Sequence, residues 1–313
     1  MKLTRRDLLK KGVVGFFTVS LVELTGDLAP AAAAGGKQDR DDDWGLLIDI
    51  ARCMGCSRCV AACSAANPDH TGKVLELSDI RMLKGLSSKN LSYVRRVKLS
   101  QDGRPIYRFV KTQCLHCLDP ACVSACPVGA LQKSGPGPVT YDPSRCIGCR
   151  YCQMACPFGV PTYEWDSTYP QVRKCQLCWP RLEQGLKPAC VEACPVQAVI
   201  FGKRGELLDE ATRRLQGGKY VQEIFGLRQV GGTSVLYISD IPFADLGFPV
   251  HLGEDPLPPL TWNILNKVPA MATTVAAAMA GVAFYTHRRS ASQNERHYEN
   301  EVEEKKKDDK ERM

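Results

Sequence analysis

The sequence predicts an α+β fold, rich in loops, in which one cysteine-rich unit is duplicated and a single transmembrane helix follows near the C-terminal end. Three observations support this prediction. Sixteen cysteines fall into four groups of four, short strand-like stretches follow three of the groups, and one apolar run lies near the end of the 313 residues. This length can bury a sizeable hydrophobic core. The net charge of +7 is modest and forms no basic stripe with interleaved aromatics, which argues against a nucleic-acid partner.

The first 34 residues are predicted to be an export signal. Arg5 and Arg6 stand in a basic start, an apolar stretch follows at 12–24, and the alanine-rich run at 29–34 offers cleavage sites. The adjacent arginines favour the twin-arginine route, which exports folded proteins. The alternatives are a plain Sec signal and an amphipathic helix of the mature fold. Small residues and glycines directly after the apolar run disfavour that helix.

The sixteen cysteines share one spacing pattern. The first and third groups read C-x2-C-x2-C-x3-C, which is the run of bacterial ferredoxins that bind [4Fe-4S] clusters. The second group widens the middle gap by two residues, and the fourth widens it to eleven. In chain order the groups are Cys53, Cys56, Cys59 and Cys63; Cys114, Cys117, Cys122 and Cys126; Cys146, Cys149, Cys152 and Cys156; and Cys175, Cys178, Cys190 and Cys194.

This spacing has a physical reason. Three closely spaced cysteines wrap a tight loop around one cubane cluster, and Gly55 and Gly148 let the backbone pass close to its sulfides. The fourth cysteine faces away and, in two-cluster ferredoxins, binds the other cluster. The run therefore predicts a duplicated two-cluster (4Fe-4S) ferredoxin-like fold in which groups exchange their fourth cysteines. The spacing alone leaves open which groups pair.

Other uses of cysteine explain the pattern less well. Structural zinc uses paired C-x2-C knuckles, and disulfides need no such spacing. A covalent c-type haem needs C-x2-C-H, whereas His116 lies inside the second C-x2-C and Leu118 follows it. Iron–sulfur binding is therefore the predicted role of all sixteen cysteines.

Strand-like stretches are predicted after the cysteine groups at 131–133, 160–163 and 198–202. The segment 67–111 reads as a strand-rich insertion because apolar and polar residues alternate at 74–77 and 93–97.

A further apolar stretch at 268–286 predicts a transmembrane helix. Its 19 residues would span about 28 Å, close to the hydrocarbon thickness of a membrane. Trp262 and Tyr285 are placed as interface anchors, and a basic cluster follows. The positive-inside rule then puts the charged tail in the cytoplasm and the main domain outside. A buried alanine-rich core helix is the alternative, although such helices seldom end in a basic cluster and a charged tail.

Together these features divide the chain into five segments, the second of which contains an insertion. They are a signal peptide at 1–34, a four-cluster domain at 44–203 with its insertion at 67–111, a clasp or linker at 204–262, a transmembrane helix at 266–287 and a cytoplasmic tail at 288–313, predicted to be solvated and disordered or loosely helical.

The chain resembles the four-cluster, ferredoxin-type subunits of membrane-bound respiratory oxidoreductases, and in particular the HybA-type subunit of periplasmic nickel–iron hydrogenases. The resemblance rests on the twin arginines, the sixteen cysteines, the stretches 148–152, 155–158 and 231–237, and the terminal helix. It implies that the first group pairs with the fourth and the second with the third. The implied ligand sets are Cys53, Cys56, Cys59 and Cys194; Cys63, Cys175, Cys178 and Cys190; Cys114, Cys117, Cys122 and Cys156; and Cys126, Cys146, Cys149 and Cys152.

The resemblance also implies the function. The chain is expected to be a non-catalytic electron-transfer subunit with four [4Fe-4S] clusters. It would work between the small and large subunits of a hydrogenase and an integral-membrane, quinone-reactive subunit. It would fold around its clusters in the cytoplasm, leave by the twin-arginine route, and stay on the periplasmic side of the inner membrane through its single helix. The alternatives are the same role in a formate dehydrogenase or sulfur-compound (molybdopterin) reductase, and a zinc-stabilised, membrane-anchored scaffold.

The sequence contains no nucleophile–base arrangement that would support catalysis by the chain itself. Among its five histidines, only His116 lies near a cysteine group. Its imidazole could donate a hydrogen bond to a sulfur or couple a proton to electron transfer, but a packing or partner-contact position is favoured. Trp165 and Trp179 are expected to shield clusters from water.

Overall fold

A three-stranded sheet in the order β8-β1-β9 lies at the centre of the fold. The central strand β1 (Trp44–Asp49) is antiparallel to β8 (Val199–Lys203) and parallel to β9 (Val235–Ile238). Its sequence WGLLID is a nearly continuous apolar run, as expected for a strand covered on both faces. The computed structural model describes residues 40–68, 72–101, 103–133, 135–165, 167–168, 170–265 and 267–311, so the predicted signal at 1–34 lies outside the described residues.

Helix α7 (Arg204–Leu215) covers one face of this sheet. Leu207, Ala211 and Leu215 recur at a spacing of four residues and pack against Leu47 of β1 and apolar residues of β9. The predicted clasp at 204–262 therefore contains a helix and a strand that belong to the core of the fold.

The other face of the sheet meets the cysteine-bearing loops. Leu46 and Ile48 of β1 pack there with Tyr237 and an aromatic group around Phe225. The rings of Phe225 and Phe248 lie 4.7 Å apart, edge to face. The sheet thus forms a rigid support beneath the cysteine groups.

The insertion at 67–111 consists of one helix and one hairpin within its described part. Strands β2 (Tyr93–Gln101) and β3 (Arg104–Thr112) pair antiparallel along their whole length. The strand expected at 74–77 is wrong, because helix α2 (Leu77–Met82) begins there. Its N-terminus is capped locally: the Glu76 N–H donates to Asp79 Oδ2 at 3.4 Å. This short-range cap outweighs the alternating pattern.

Short helices carry the cysteines and form two lobes. The helices are α1 (Arg58–Ala66), α3 (Ala121–Ser124), α4 (Tyr151–Ala155), α5 (Trp179–Leu182) and α6 (Ala189–Glu192). In the first lobe α1 packs against α6, and in the second α3 packs against α4. We define the first lobe as residues 53–63 with 175–194, and the second as residues 114–126 with 146–156.

Two short antiparallel strand pairs flank the lobes. They are β4 (Leu131–Lys133) with β5 (Val139–Tyr141), and β6 (Thr162–Tyr163) with β7 (Val172–Arg173). The predicted stretch 131–133 is confirmed as β4. The stretch predicted at 160–163 shortens to the two residues of β6, and the stretch at 198–202 is shifted by one residue in β8.

Two consecutive helices end the described chain. Helix α8 (Pro258–Leu265) contacts α3 of the second lobe, and α9 (Val268–Glu311) follows. Among the described residues, the helical stretch Pro258–Val302 is the one long and apolar enough to cross a membrane. Its most apolar part is not buried in the fold. Helix α9 continues well past the predicted span, so the tail at 288–311 is helical. Its many Glu, Lys and Arg residues favour this conformation.

Candidate metal-cluster centres

The first lobe contains two groups of four cysteines, each around its own cavity. Site 1, of about 380 Å³, is lined by Cys53, Cys56, Cys59 and Cys194. Site 2, of about 320 Å³, is lined by Cys63, Cys175, Cys178 and Cys190. In each site three cysteines come from one group and the remaining one comes from the other group.

The second lobe repeats this arrangement. Site 4 is a cavity of about 310 Å³ lined by Cys126, Cys146, Cys149 and Cys152. Site 3 is the neighbouring group of Cys114, Cys117, Cys122 and Cys156. Burial, and then the negative charges of the three other thiols of site 3, raise the pKa of Cys117 well above its ordinary value. The fold therefore brings together the first group with the fourth, and the second with the third.

The loops have the same backbone shape in all four groups. The residue before the second cysteine is left-handed in each case: Gly55, His116, Gly148 and Leu177 have φ of 72°, 49°, 69° and 56°. Glycine adopts this conformation without strain, whereas His116 and Leu177 adopt it although they carry a side chain. Such repeated left-handed turns bring the flanking thiols to the same side of the loop.

Backbone amides donate to cysteine sulfurs at matching positions of the two lobes. The Ala130 N–H lies 3.2 Å from Cys126 Sγ, and the Ala198 N–H lies 3.2 Å from Cys194 Sγ. In both pairs the amide belongs to the residue four positions after the fourth cysteine of a group. Amide hydrogen bonds to cysteine sulfurs help to tune a bound cluster.

Burial disfavours the charged thiolate form of several of these cysteines. Burial raises the pKa of Cys59 and Cys122 to about 12, and that of Cys63 and Cys152 to about 11. A buried thiolate needs a compensating positive charge, which a metal core supplies. Four converging thiols per site are the donor set of a [4Fe-4S] cluster.

Unpaired buried donors provide a second test of whether anionic clusters suit these sites. Lys111 Nζ, Gln113 Nε2 and His116 Nε2 are buried and have no hydrogen-bond partner within the described chain. Lys111 lines site 1 and Gln113 lines site 2. An orphan donor is costly unless a group absent from the protein part accepts from it. The sulfides of a cluster are such acceptors, so the residues present suit the cofactor.

A single metal ion suits the sites less well. No three Cys, His, Asp or Glu side chains among the described residues are arranged to hold one ion. The four thiols of a site instead converge on one cavity, as the four ligands of a cubane cluster do.

His116 is fully buried beside Cys117, in the packing position that was one of the two roles favoured from the sequence. Its Nδ1 accepts from the Val139 N–H at 3.0 Å, which places the ring proton on Nε2. Burial, and then the charges of Lys174 and Lys133, lower its pKa well below 6.5. His116 is therefore a neutral packing residue that also offers one hydrogen-bond donor.

The two tryptophans occupy different environments. Trp165 is 67% exposed, packs edge to face on Tyr163, and lies under the guanidinium of Arg150. It presents surface at the edge of site 4 instead of sealing a site from water as expected. Trp179 begins α5 and is half-buried.

Sequence reasoning missed Lys111 and Gln113. Both lie just before the second cysteine group, and Lys111 is the last but one residue of β3. The available signal was a lysine directly after the buried apolar residue Val110 and three residues before Cys114.

Comparison with known proteins places these observations in a wider context. Residues 52–130 and residues 106–204 each match a family described as a 4Fe-4S dicluster domain. A protein of Nitratidesulfovibrio vulgaris is 37% identical over 270 residues, which is 85% of this chain and 72% of the relative. The hydrogenase-2 operon protein HybA of Escherichia coli O157:H7 is 34% identical over 281 residues, 79% of this chain and 84% of the relative. The iron-sulfur subunit of the nitrate-inducible formate dehydrogenase of Escherichia coli K12 is 34% identical over 249 residues, with 76% and 83% covered.

Proposed function

This chain belongs to the family of ferredoxin-type iron–sulfur subunits that includes HybA and the formate dehydrogenase iron-sulfur subunits, and we propose that it carries four [4Fe-4S] clusters for electron transfer. The observation that carries the proposal is the gathering of sixteen thiols into four sites of four. Each bound cluster supplies reversible one-electron transfer. The chain's own part is to hold the clusters in order, exclude water from them and present the ends to partners.

Each site takes its ligands from two cysteine groups. This exchange ties distant parts of the chain together, so folding and cluster binding are expected to be coupled. The proposed ligand sets are Cys53, Cys56, Cys59 and Cys194 at site 1; Cys63, Cys175, Cys178 and Cys190 at site 2; Cys114, Cys117, Cys122 and Cys156 at site 3; and Cys126, Cys146, Cys149 and Cys152 at site 4.

The four sites are proposed to act in the order 1, 2, 3, 4. Besides burial, which is the largest cause, the charge of a thiol in the next site raises the pKa of one thiol in each neighbouring pair. Such mutual influence requires proximity. The pairs are Cys59 with Cys190, Cys175 with Cys114, and Cys122 with Cys152.

The two ends of this row are the proposed docking points. Of the sixteen cysteines, Cys56 of site 1 and Cys149 of site 4 are the exposed ones. Exposed apolar side chains flank them: Met54 beside Cys56, and Ile147 and Tyr151 beside Cys149. Apolar surface of this kind suits protein–protein contact. Electrons would enter and leave through these faces.

Membrane attachment supports an assignment of the two ends. Helix α8 contacts α3, which carries Cys122 of site 3, and leads into the apolar helix α9. The second lobe is therefore proposed to face the quinone-reactive membrane subunit, and the first lobe the catalytic subunit. The location proposed is the periplasmic side of the inner membrane, reached by twin-arginine export of the folded protein.

The catalytic partner is proposed to be a nickel–iron hydrogenase, because the motifs resemble those of the HybA type. Purification of the complex from its native membrane, followed by addition of dihydrogen or formate, tests this choice. We expect dihydrogen to bleach the broad brown absorbance of the clusters. Bleaching by formate alone would move the chain to a formate dehydrogenase. Bleaching by neither, but by dithionite, would leave a sulfur-compound reductase.

A further inference from the structure

Lys111 is a buried lysine of the first lobe. It comes from β3 of the inserted hairpin, opposite Val94 of β2, and is 1% exposed. Its side chain lines the cavity of site 1 with Cys53, Cys56 and Cys59. Its backbone is held from the central sheet, because the Tyr237 hydroxyl donates to the Lys111 carbonyl oxygen at 2.9 Å.

No protein group accepts a hydrogen bond from Lys111. Its Nζ is buried without a partner in the described part of the chain. The other buried lysine differs: Lys174 Nζ donates to the carbonyl oxygens of Val139 and, at 3.1 Å, Cys175. An unpaired buried ammonium is costly, so this position requires a negatively charged neighbour.

The negative groups that face Lys111 belong to both sites. Burial lowers its pKa, but thiol charges from the two sites together more than offset this and leave the pKa above its ordinary value. The contributing thiols are Cys190, Cys59, Cys63 and Cys175. In return, the charge of Lys111 lowers the pKa of thiols in both sites against the effect of burial. One cation thus acts on two neighbouring sites.

We propose that Lys111 is a positioning residue: a shared internal cation that stabilises the reduced clusters of sites 1 and 2 and holds both reduction potentials up. This inference rests on the proposed function. Reduction adds one electron, and hence one negative charge, to a site, and a nearby cation favours that state.

The shared position has a second consequence. Two adjacent reduced clusters repel each other, and a cation between them weakens that repulsion. Lys111 therefore allows sites 1 and 2 to hold an electron at the same time. In the second lobe, the charge of Lys174 acts on Cys122 and Cys156, which both belong to site 3, and its Nζ is already bound by carbonyl oxygens.

The test is an EPR-monitored redox titration of full-length K111M, with iron and sulfide content measured on the same sample. Met keeps the length of the side chain and removes its charge. We expect two of the four midpoints to fall, each by at least tenfold in the ratio of reduced to oxidised cluster, or about 59 mV for a one-electron couple. The other two should move much less.

Two further variants serve as controls. K98M removes the same charge from an exposed position of the same hairpin and should leave all four midpoints unchanged. K111R keeps the charge and should retain potentials near those of the wild type. Four unchanged midpoints in a fully loaded K111M would overturn the inference but leave the four-cluster proposal intact. An equal shift of all four, or the same shift in K98M, would overturn it as well.

If K111M loses iron, the wild-type protein provides the test instead. Lysine labelled with ¹⁵N at Nζ should then produce a nitrogen hyperfine coupling on a reduced cluster signal, and K111R should lack the stronger component. Absence of any lysine coupling would overturn the proposal.

Discussion

The two lobes share one arrangement of cysteines but differ in what surrounds it. The first lobe is covered by the long hairpin β2–β3, whose Phe109 lies against the Gly55 loop and whose Lys111 lines the cavity of site 1. The second lobe is flanked by short strand pairs, and Lys174, the buried lysine whose charge acts on site 3, is bound to backbone carbonyls. Cysteine spacing therefore sets where clusters bind, whereas an insertion from elsewhere in the chain sets the environment of one lobe.

Removal of a fourth cysteine is expected to have the largest effect, because the cluster that is lost shows which site the cysteine binds. In C194S, site 1 loses a ligand, whereas the neighbouring Cys190 belongs to site 2. We expect loss of about one cluster's iron, and of the signal of site 1, with the other three clusters retained. Iron analysis and EPR on the reduced variant measure this. C156S is the matched variant of the second lobe and should affect site 3. Retention of site 1 in C194S with loss of site 2 would contradict the exchange.

The equivalent glycines Gly55 and Gly148 differ in the residue that an added side chain would contact. Both have left-handed φ, of 72° and 69°, so alanine costs about 1–2 kcal/mol at either position. A Cβ at Gly55 would also clash with the Phe109 ring, whereas at Gly148 it would meet the end of the Tyr163 side chain at 2.9 Å. G55A should therefore lower the free energy of unfolding by about 1–3 kcal/mol more than G148A, because a packed ring yields less than a hydroxyl. Denaturant unfolding of both variants measures this, and equal losses would contradict the difference between lobes.

Removal of the clusters should reverse the effect of Lys111 on stability. In protein stripped of iron by a chelator, Lys111 faces neutral thiols in place of anionic clusters. K111M should then raise the free energy of unfolding by about 1–3 kcal/mol, since it removes an unpaired buried charge. The same denaturant series with K98M should show no change. Destabilisation of the stripped protein by K111M would mean that its side chain has a protein partner.

The smallest expected effect concerns the link between the hairpin and the central sheet. Arg108 of β3 binds Asp240, with Nε to Oδ1 at 2.9 Å. Burial would raise the pKa of Asp240, but the hydrogen bond and charge of Arg108 outweigh it and lower the pKa. At pH values above its ordinary pKa of about 4, the Asp240 carboxylate therefore stabilises the fold. This contribution is lost as the pH falls through the lowered pKa of Asp240.

D240N should accordingly reduce the free energy of unfolding at neutral pH by about 1 kcal/mol, and the difference from wild type should vanish in acid. Unfolding curves across the acidic range measure both. E254Q, at the exposed pair of Glu254 with Arg228, is the control and should leave the curves unchanged. A difference that persists at the lowest pH would show that Asp240 acts through packing instead of charge.

The cysteine pattern was predictable because cluster geometry constrains residues that are close in sequence. The groups, the loop shape and the strand at 131–133 follow from such local rules. The parallel pairing of β1 with β9 did not follow, because it joins residues about 190 positions apart and no local pattern marks it. The depth of Lys111 was also missed. Its position among charged residues of a hairpin reads as solvent-facing until the lobe that covers it is known.

The central claim is that sixteen cysteines hold four [4Fe-4S] clusters in one row. Anaerobic iron, sulfide and zinc analysis of the purified protein, with EPR after dithionite reduction, tests it most directly. Four bound clusters should give about sixteen irons with matching sulfide per chain, and overlapping EPR signals from interacting reduced clusters. Zinc in place of iron, or iron for only two or three clusters, would contradict it.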